Sequence, residues 1–337
     1  MSEHEEKRRA QRNRTITLSK DEITYYLNKC VTSDGLTNKL TGSPCAGHIT
    51  DTVIFSDVFD VFGRLPDSFV DLLIADPPYN LNKSYADTNF KKMNQNEYCA
   101  FTEKWILGIK RLLKKSASAY VCCDWQSSMM IGPILQEHFY IQNRITWQRE
   151  KGRGAQNNWK NSMEDIWFVS VSAKDYTFNV DDVKLRRRVL APYTADGKPK
   201  DWVKSSGGNF RDTYPSNFWD DISVPYWSMP ENTDHPAQKP EKLIAKIILA
   251  SSNPGEIVFD PFLGSGSSAV TAKKLGRHYV GIEREPLYCA LAQKRLETAE
   301  NDKKIQGYSD GVFWERNTAA LHKTMRKNHA PPDNEEN

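Results

Sequence analysis

The ten residues Val70-Asp-Leu-Leu-Ile-Ala-Asp-Pro-Pro-Tyr79 leave this chain few options. Five of the six residues from Val70 to Ala75 are apolar, with no polar alternation, which reads as a short strand covered on both faces. Pro77 and Pro78 have no amide hydrogen and a fixed φ, so the strand must stop there. A strand buried on both sides needs helices above and below it, and the flanking sequence supplies them.

From Asp51 onward, short apolar runs alternate with amphipathic ones. Strands are expected at Thr52–Phe55, Val70–Ala75, Ala117–Cys123, Ile141–Gln148, Ile166–Val171, Ile257–Phe259 and Tyr279–Ile282. Helices are expected at Glu97–Leu113, Ser128–His138, Lys239–Leu249, Ser267–Leu275 and Leu287–Glu300, with a helix or turn at Val58–Leu65. This rhythm implies an α/β fold built on a mostly parallel sheet with helices on both faces. Ahead of it, Ser19 and Glu22 form a capping-box pattern for one short helix, and Leu36–Ile49 reads as loop. Glu150–Ser162 and Asp175–Thr233 interrupt the rhythm and read as irregular. Insertions of that length in an α/β chain usually carry function.

Charge locates a second feature. The formal net charge of +3 says little, but Lys7–Lys20 holds six basic residues and no acidic one. Arg144–Arg211 holds fourteen basic residues against eight acidic ones. Two basic regions in a nearly neutral protein point to a local polyanion surface, against the plainer reading of solvated loops. No apolar run has the length of a membrane span, and Met1–Lys20 lacks the apolar centre of a secretory signal. The chain is therefore read as cytoplasmic. The six cysteines show no metal-ligand spacing and are expected to be free thiols, with no metal site.

Two turns carry chemistry. Val258–Ser268 is strand, glycine turn and helix start. Gly264 and Gly266 let the backbone pass close to a ligand, and free amides at the helix start near Ser267 suit a carboxylate. The next strand ends in Glu283, twenty-three residues after Asp260, where an acid reaches ribose hydroxyls in dinucleotide sites. This order points to a nucleoside ligand. No lysine follows Gly266 as a phosphate loop would require. The other turn is Asp76-Pro77-Pro78-Tyr79. Its prolines remove two donors, so it offers the Asp76 carboxylate and the Pro77 carbonyl as acceptors beside an aromatic ring. That set suits a planar base whose amino group must be held and stacked. A proline-capped strand end with no ligand is the plain alternative.

Together these segments resemble the amino-directed DNA methyltransferases, bacterial modification methylases that act on adenine N6 or cytosine N4. The family's (Asp/Asn/Ser)-Pro-Pro-(Tyr/Phe/Trp) site appears as Asp76–Tyr79, and its Phe-x-Gly-x-Gly loop as Phe262–Gly266. The catalytic motif comes first and the loop follows about 180 residues later, the permuted order of the family's beta group. His235-Pro-Ala-Gln-Lys-Pro240 is similar to the family's His-Pro-Thr-Gln-Lys-Pro element, with Ala237 in place of Thr. Ser56-Asp57 resembles its Gly-Asp element, with Ser in place of Gly.

The resemblance implies a Rossmann-like S-adenosylmethionine-dependent fold. It implies catalysis at Asp76, Pro77, Pro78 and Tyr79, and a cofactor held by Asp57, His235, Lys239, Asp260, Phe262, Gly264, Gly266, Ser267 and Glu283. The implied division is an N-terminal arm and short helix (1–50), a catalytic half (51–148), a target-recognition region (149–233), a cofactor half (234–300) and a C-terminal tail (301–337). Double-stranded DNA is the implied substrate, met by Arg149, Arg153, Gln156, Asn157, Lys160, Arg186, Arg187 and Arg188, in a nucleoid-associated enzyme. A homodimer is the implied assembly. Aspartate with tyrosine in the motif favours adenine N6, with cytosine N4 as the alternative. An RNA or protein methyltransferase is disfavoured by the motif order, and a silent DNA-binding subunit by the intact Asp76 and Tyr79.

Overall fold

A computed structural model describes residues 10–40, 46–86, 88–149, 157–189, 193–205 and 208–316. Its centre is a nine-stranded sheet. In chain order the strands are β1 (Val31–Thr32), β2 (Thr52–Phe55), β3 (Val70–Ala75), β4 (Leu113–Cys123), β5 (Tyr140–Gln148), β6 (Met163–Ser170), β7 (Phe218–Trp219), β8 (Ile257–Asp260) and β9 (His278–Glu283). Their order across the sheet is β1-β2-β9-β8-β3-β4-β6-β5-β7. Only β6 runs against the others.

The helices are α1 (Lys20–Leu27), α2 (Ser33–Leu40), α3 (Gln95–Lys110), α4 (Trp125–His138), α5 (Glu241–Ser251), α6 (Ser267–Lys274) and α7 (Pro286–Asn301). Successive residues of each strand feed opposite faces. Leu73, Ala75, Val121 and Phe259 join Trp105, Ile109 and Leu135 of α3 and α4 in one core. Leu72, Ile74, Cys122 and Val258 join Leu243, Ile247, Val270 and Leu296 of α5, α6 and α7 in the other. β3 is buried on both sides, as its mostly apolar run requires. No helix among the described residues is long and apolar enough to cross a membrane.

The short helix at Ser19 has its capping box, Ser19 and Glu22 each closing on the other's backbone. Two stretches differ from expectation. Leu36–Ile49 is not all loop, because α2 buries Leu36 completely in the first core. Asp175–Thr233 is not irregular throughout either. Leu185–Arg188, Val203–Ser205 and Gly208–Thr213 join Tyr308–Ser309 and Val312–Trp314 in a second, five-stranded sheet. The last two strands come from the stretch expected as a tail, and Phe313 and Trp314 are fully buried there. Pairing between segments a hundred residues apart leaves no local signature. At the other end the arm is tied down: Arg14 N donates to Trp227 O at 2.6 Å and Ile16 N to Asn232 O at 2.8 Å. Residues 1–9 lie outside the described part.

Candidate active site

β3 and β8 lie side by side, with Leu73 opposite Phe259. From β8 the chain proceeds outward to β9, and from β3 outward the other way to β4. The crevice where those directions diverge is where open α/β sheets bind ligands. A cleft with a cavity volume of about 250 Å³ opens there. Every residue of the two motifs lines it except Gly266, and Asp57, His235, Lys239 and Glu283 line it as well.

The Asp76–Tyr79 turn is fixed from outside. Tyr98 of α3 donates its hydroxyl to Pro78 O at 3.0 Å. The Asn80 amide donates to Ser127 Oγ at 3.2 Å, and its side chain exchanges two hydrogen bonds with the backbone of Met93. Its functional groups face inward. Tyr79 donates its hydroxyl to Asp76 Oδ1 at 2.8 Å, and Lys239 Nζ donates to Asp76 Oδ2 at 2.6 Å. The acceptors expected to stand free on Asp76 are thus already engaged. Burial drives the Tyr79 hydroxyl pKa upward, and the carboxylates of Asp76 and Glu164 add to it. For Lys239 burial acts to lower the pKa, but those same carboxylates outweigh it and hold the ammonium above its usual value. Lys239, expected at the cofactor, lines the same cleft and places its Nζ on Asp76.

The glycine loop is shaped by packing within the protein. Gly264 has φ +53°, and a Cβ there would come within 2.9 Å of His235 Nε2. Gly266 has φ +87°, and its Cβ would press on Ala292 of α7 at 2.7 Å. The ligand expected to forbid a side chain is therefore not needed to explain either glycine. Asp260 turns inward and accepts from Phe262 N and Ser268 Oγ, and burial lifts its pKa to about 7. Ser267 is also turned away, donating its hydroxyl to Lys239 O at 2.8 Å. Glu283 closes the loop from β9: Oε2 accepts from Gly264 N at 2.7 Å, and Oε1 from the amides of Arg284 and Glu285. Burial raises its pKa against those three donors. His235 lies under Gly264 and against Tyr288, and burial lowers its pKa to about 3, so the ring is neutral. Asp57 caps a short helical turn through Phe59 N.

The residues expected at DNA are less concentrated. Arg149 lines the cleft and pairs with Glu164. Asn157 and Lys160 are exposed, on either side of Trp159, which is 93% exposed. Arg153 and Gln156 lie outside the described residues. Arg186 grips Asp212 through two bonds of 2.7 Å and covers the Trp314 ring; Arg187 pairs with Asp220; Arg188 is exposed. Sequence reasoning missed Asn80 and Glu164. The signal for Glu164 was available: Met163-Glu-Asp-Ile-Trp-Phe carries two acids into an apolar strand, and buried acids require partners.

A family model described as DNA methylase, of the N6/N4 class, matches residues 70–294. The chain belongs to the N6/N4 DNA methylase family. The type II methyltransferase M.HpaI of Haemophilus parainfluenzae is 33% identical to this methylase over 251 residues, 74% of this chain and 75% of its own length. The DNA adenine methyltransferase YhdJ of Escherichia coli is 32% identical over 293 residues, covering 85% of this chain and 95% of that one. Among solved structures, the PvuII DNA methyltransferase (cytosine-N4-specific) superposes with a TM-score of 0.55 at 16% identity, over 75% of this chain and 92% of that one. The likeness identifies the sheet as the methyltransferase fold.

The family's methyl donor is S-adenosylmethionine. The methylase's cleft suits it. Glu283 and Asp57 line it with carboxylates, a chemistry that suits a ribose diol, Phe59 and Phe262 line it with apolar rings, and α6 starts directly after Gly266. Gly264→Ala should weaken S-adenosylmethionine binding on the order of tenfold or more in isothermal titration. Gly255→Ala is the control: φ is +81° with nothing within 4 Å, so it carries only backbone strain of about 1–2 kcal/mol. Equal affinities for the two variants would remove the packing of Gly264 on His235 from the account.

Proposed function

We propose that this methylase transfers a methyl group from S-adenosylmethionine to adenine N6 in double-stranded DNA, as a restriction-linked or independent modification enzyme. The observation that carries the reading is the Asp76-Pro-Pro-Tyr79 turn, locked at the end of β3 directly beside the Phe262–Gly266 loop of β8. The relative named as a DNA adenine methyltransferase, which this chain matches over most of both lengths, supports adenine as the base.

In this reading Asp76 and the Pro77 carbonyl accept the two hydrogens of the target amino group, and Tyr79 stacks on a base rotated out of the duplex. An amino group conjugated with its ring is a weak nucleophile; holding both hydrogens out of plane turns the nitrogen lone pair towards the cofactor loop. When bound, S-adenosylmethionine supplies a sulfonium methyl, whose carbon forms the N–C bond as the S–C electron pair stays on sulfur. Asp76 takes the hydrogen bond along which the surplus proton leaves. Glu283 and Asp57 hold the ribose, Phe262 and Gly264 line the methionine side, and neutral His235 supports the loop from beneath. The contribution is positioning and electrostatics.

DNA recognition falls to residues 149–161 and 184–211, joined by the strands at 308–314. Asn157 and Lys160 stand exposed in that first stretch, and the same role is assigned to Arg153 and Gln156 from the sequence alone. Because Arg186 is held by Asp212 and Arg187 by Asp220, contact with phosphates rests most on Arg188. The homodimer and the association with the nucleoid belong to the same proposal.

Asp76→Ala should abolish radiolabel transfer while S-adenosylmethionine still binds, and mass analysis of digested wild-type product should yield N6-methyladenine. N4-methylcytosine in that digest would transfer the assignment to cytosine. Asn157→Ala should weaken cognate duplex selectively, by about 1–3 kcal/mol for a lost bidentate contact. Arg188→Ala should weaken all duplexes and flatten the salt dependence. Equal losses on cognate and random DNA for Asn157→Ala would end its base-reading role. Light scattering without DNA should give twice the chain mass, and a monomer mass would contradict the dimer.

A further inference from the structure

Asp76 is proposed above to hold the target amino group, yet both its oxygens have partners: the Tyr79 hydroxyl on Oδ1 and Lys239 Nζ on Oδ2. A carboxylate oxygen can accept twice, but an arriving base must compete with these two partners for the cleft side of Asp76 and loosens the hold on at least one of them. A buried ammonium displaced from its carboxylate needs another, because an unpaired charge there is costly. One is within reach. Glu164 Oε2 lies 3.3 Å from Lys239 Nζ and 3.2 Å from the Tyr79 hydroxyl. Glu164 is 3% exposed and comes from β6, the reversed strand, outside both motifs. Its Oε1 pairs with Arg149.

Arg149 stands where the recognition segment leaves β5, and its amide donates to Ser162 O at 2.6 Å, closing the base of that segment. Its side chain is 33% exposed at the cleft, in reach of an incoming polyanion. The cluster therefore holds two carboxylates, Asp76 and Glu164, against two cations, Lys239 and Arg149. Drawing Arg149 off leaves Glu164 with a stronger pull on Lys239, and the low local dielectric sharpens that pull.

We infer that Glu164 is a positioning residue which takes over the Lys239 ammonium and the Tyr79 hydroxyl when the target base claims Asp76, and that Arg149 makes this exchange depend on bound DNA. The inference rests on the Asp76 reading. Without DNA the ammonium stays on Asp76; with DNA it makes a short move between two carboxylates that already lie within 3.3 Å of it.

The test is single-turnover methylation by the full chain at saturating cofactor and cognate duplex. Glu164→Gln should lower the rate constant roughly 10²-fold, the size of loss that misplacement without lost binding brings. Affinities for S-adenosylmethionine and duplex should stay within a fewfold of wild type. Adding Lys239→Met to Glu164→Gln should recover most of the rate, since the blocking ammonium is gone. A role limited to holding β6 in place predicts the opposite, a deeper loss in the double variant, and that result overturns the inference. So does a Glu164→Gln rate close to wild type. Should Glu164→Gln fail to fold, Arg149→Met carries the test: duplex affinity should fall while the saturated rate is kept or rises, and a fall in that rate overturns the inference. Asp76→Ala measured alongside separates the two readings. If it is inactive while Glu164→Gln is not, only the Glu164 exchange fails; if it stays active, the Asp76 assignment fails first.

Discussion

The parallel pairing of β3 with β8 is the constraint on which the rest depends. It joins segments nearly two hundred residues apart, Leu72 facing Val258 and Leu73 facing Phe259, and it is the seam between the two halves of the chain. Asp76-Pro77 follows β3 and Asp260-Pro261 closes β8, so a proline stops each strand and both turns open into one crevice. The two acids then diverge in role. Asp260 folds back on Phe262 N and Ser268 and shapes its own loop. Asp76 points across the seam to Lys239, which arrives from the other half.

That contact belongs to a wider pattern of buried charge around α5. Glu241 receives Arg295 at 2.9 Å and Lys274 at 2.6 Å, tying α5 to α7 and α6. Lys242 and Lys246 both reach Asp221 at 2.7 Å, and Lys242 also donates to the carbonyl of Trp314. Burial lowers the pKa of Lys242 to about 8 despite Asp221. Pairs of this kind are weak sources of stability, because desolvation offsets much of the attraction, but breaking one partner away is costly. Their effect here is orientation. They hold the second sheet, through Trp314, and the segment that follows β7, through Asp221, against the helix that leads directly from Lys239.

Seven of the nine strands of the central sheet were legible because their information is local, whereas the two-residue edge strands β1 and β7 are too short to leave a pattern. β2 and β3 are mostly apolar runs with clear stops, and the strand limits found match those expected residue for residue. The catalytic and cofactor turns were legible for the same reason, each being contiguous. What could not be read was whatever depends on distant pairing. Leu185-Arg-Arg-Arg188 looks like a free basic cluster until Asp212 is placed opposite Arg186 and Trp314 beneath it. Gly264 looks like room for a ligand until His235 is placed under it. Glu164 and the arm residues Arg14 and Ile16 likewise acquire meaning only from partners far along the chain.

Every residue of α5, from Glu241 to Ser251, is buried, charged ones included. A helix with no solvent face has no route to local fraying from its side, since each amide is shielded by sheet, helix or second sheet at once. Its hydrogens should therefore exchange with solvent only when the molecule opens as a whole. The halves on either side of the seam then do not melt separately. The two motif-bearing segments, made far apart in time during synthesis, should then open as a single cooperative unit, because α5 packs on β3 and β8 together.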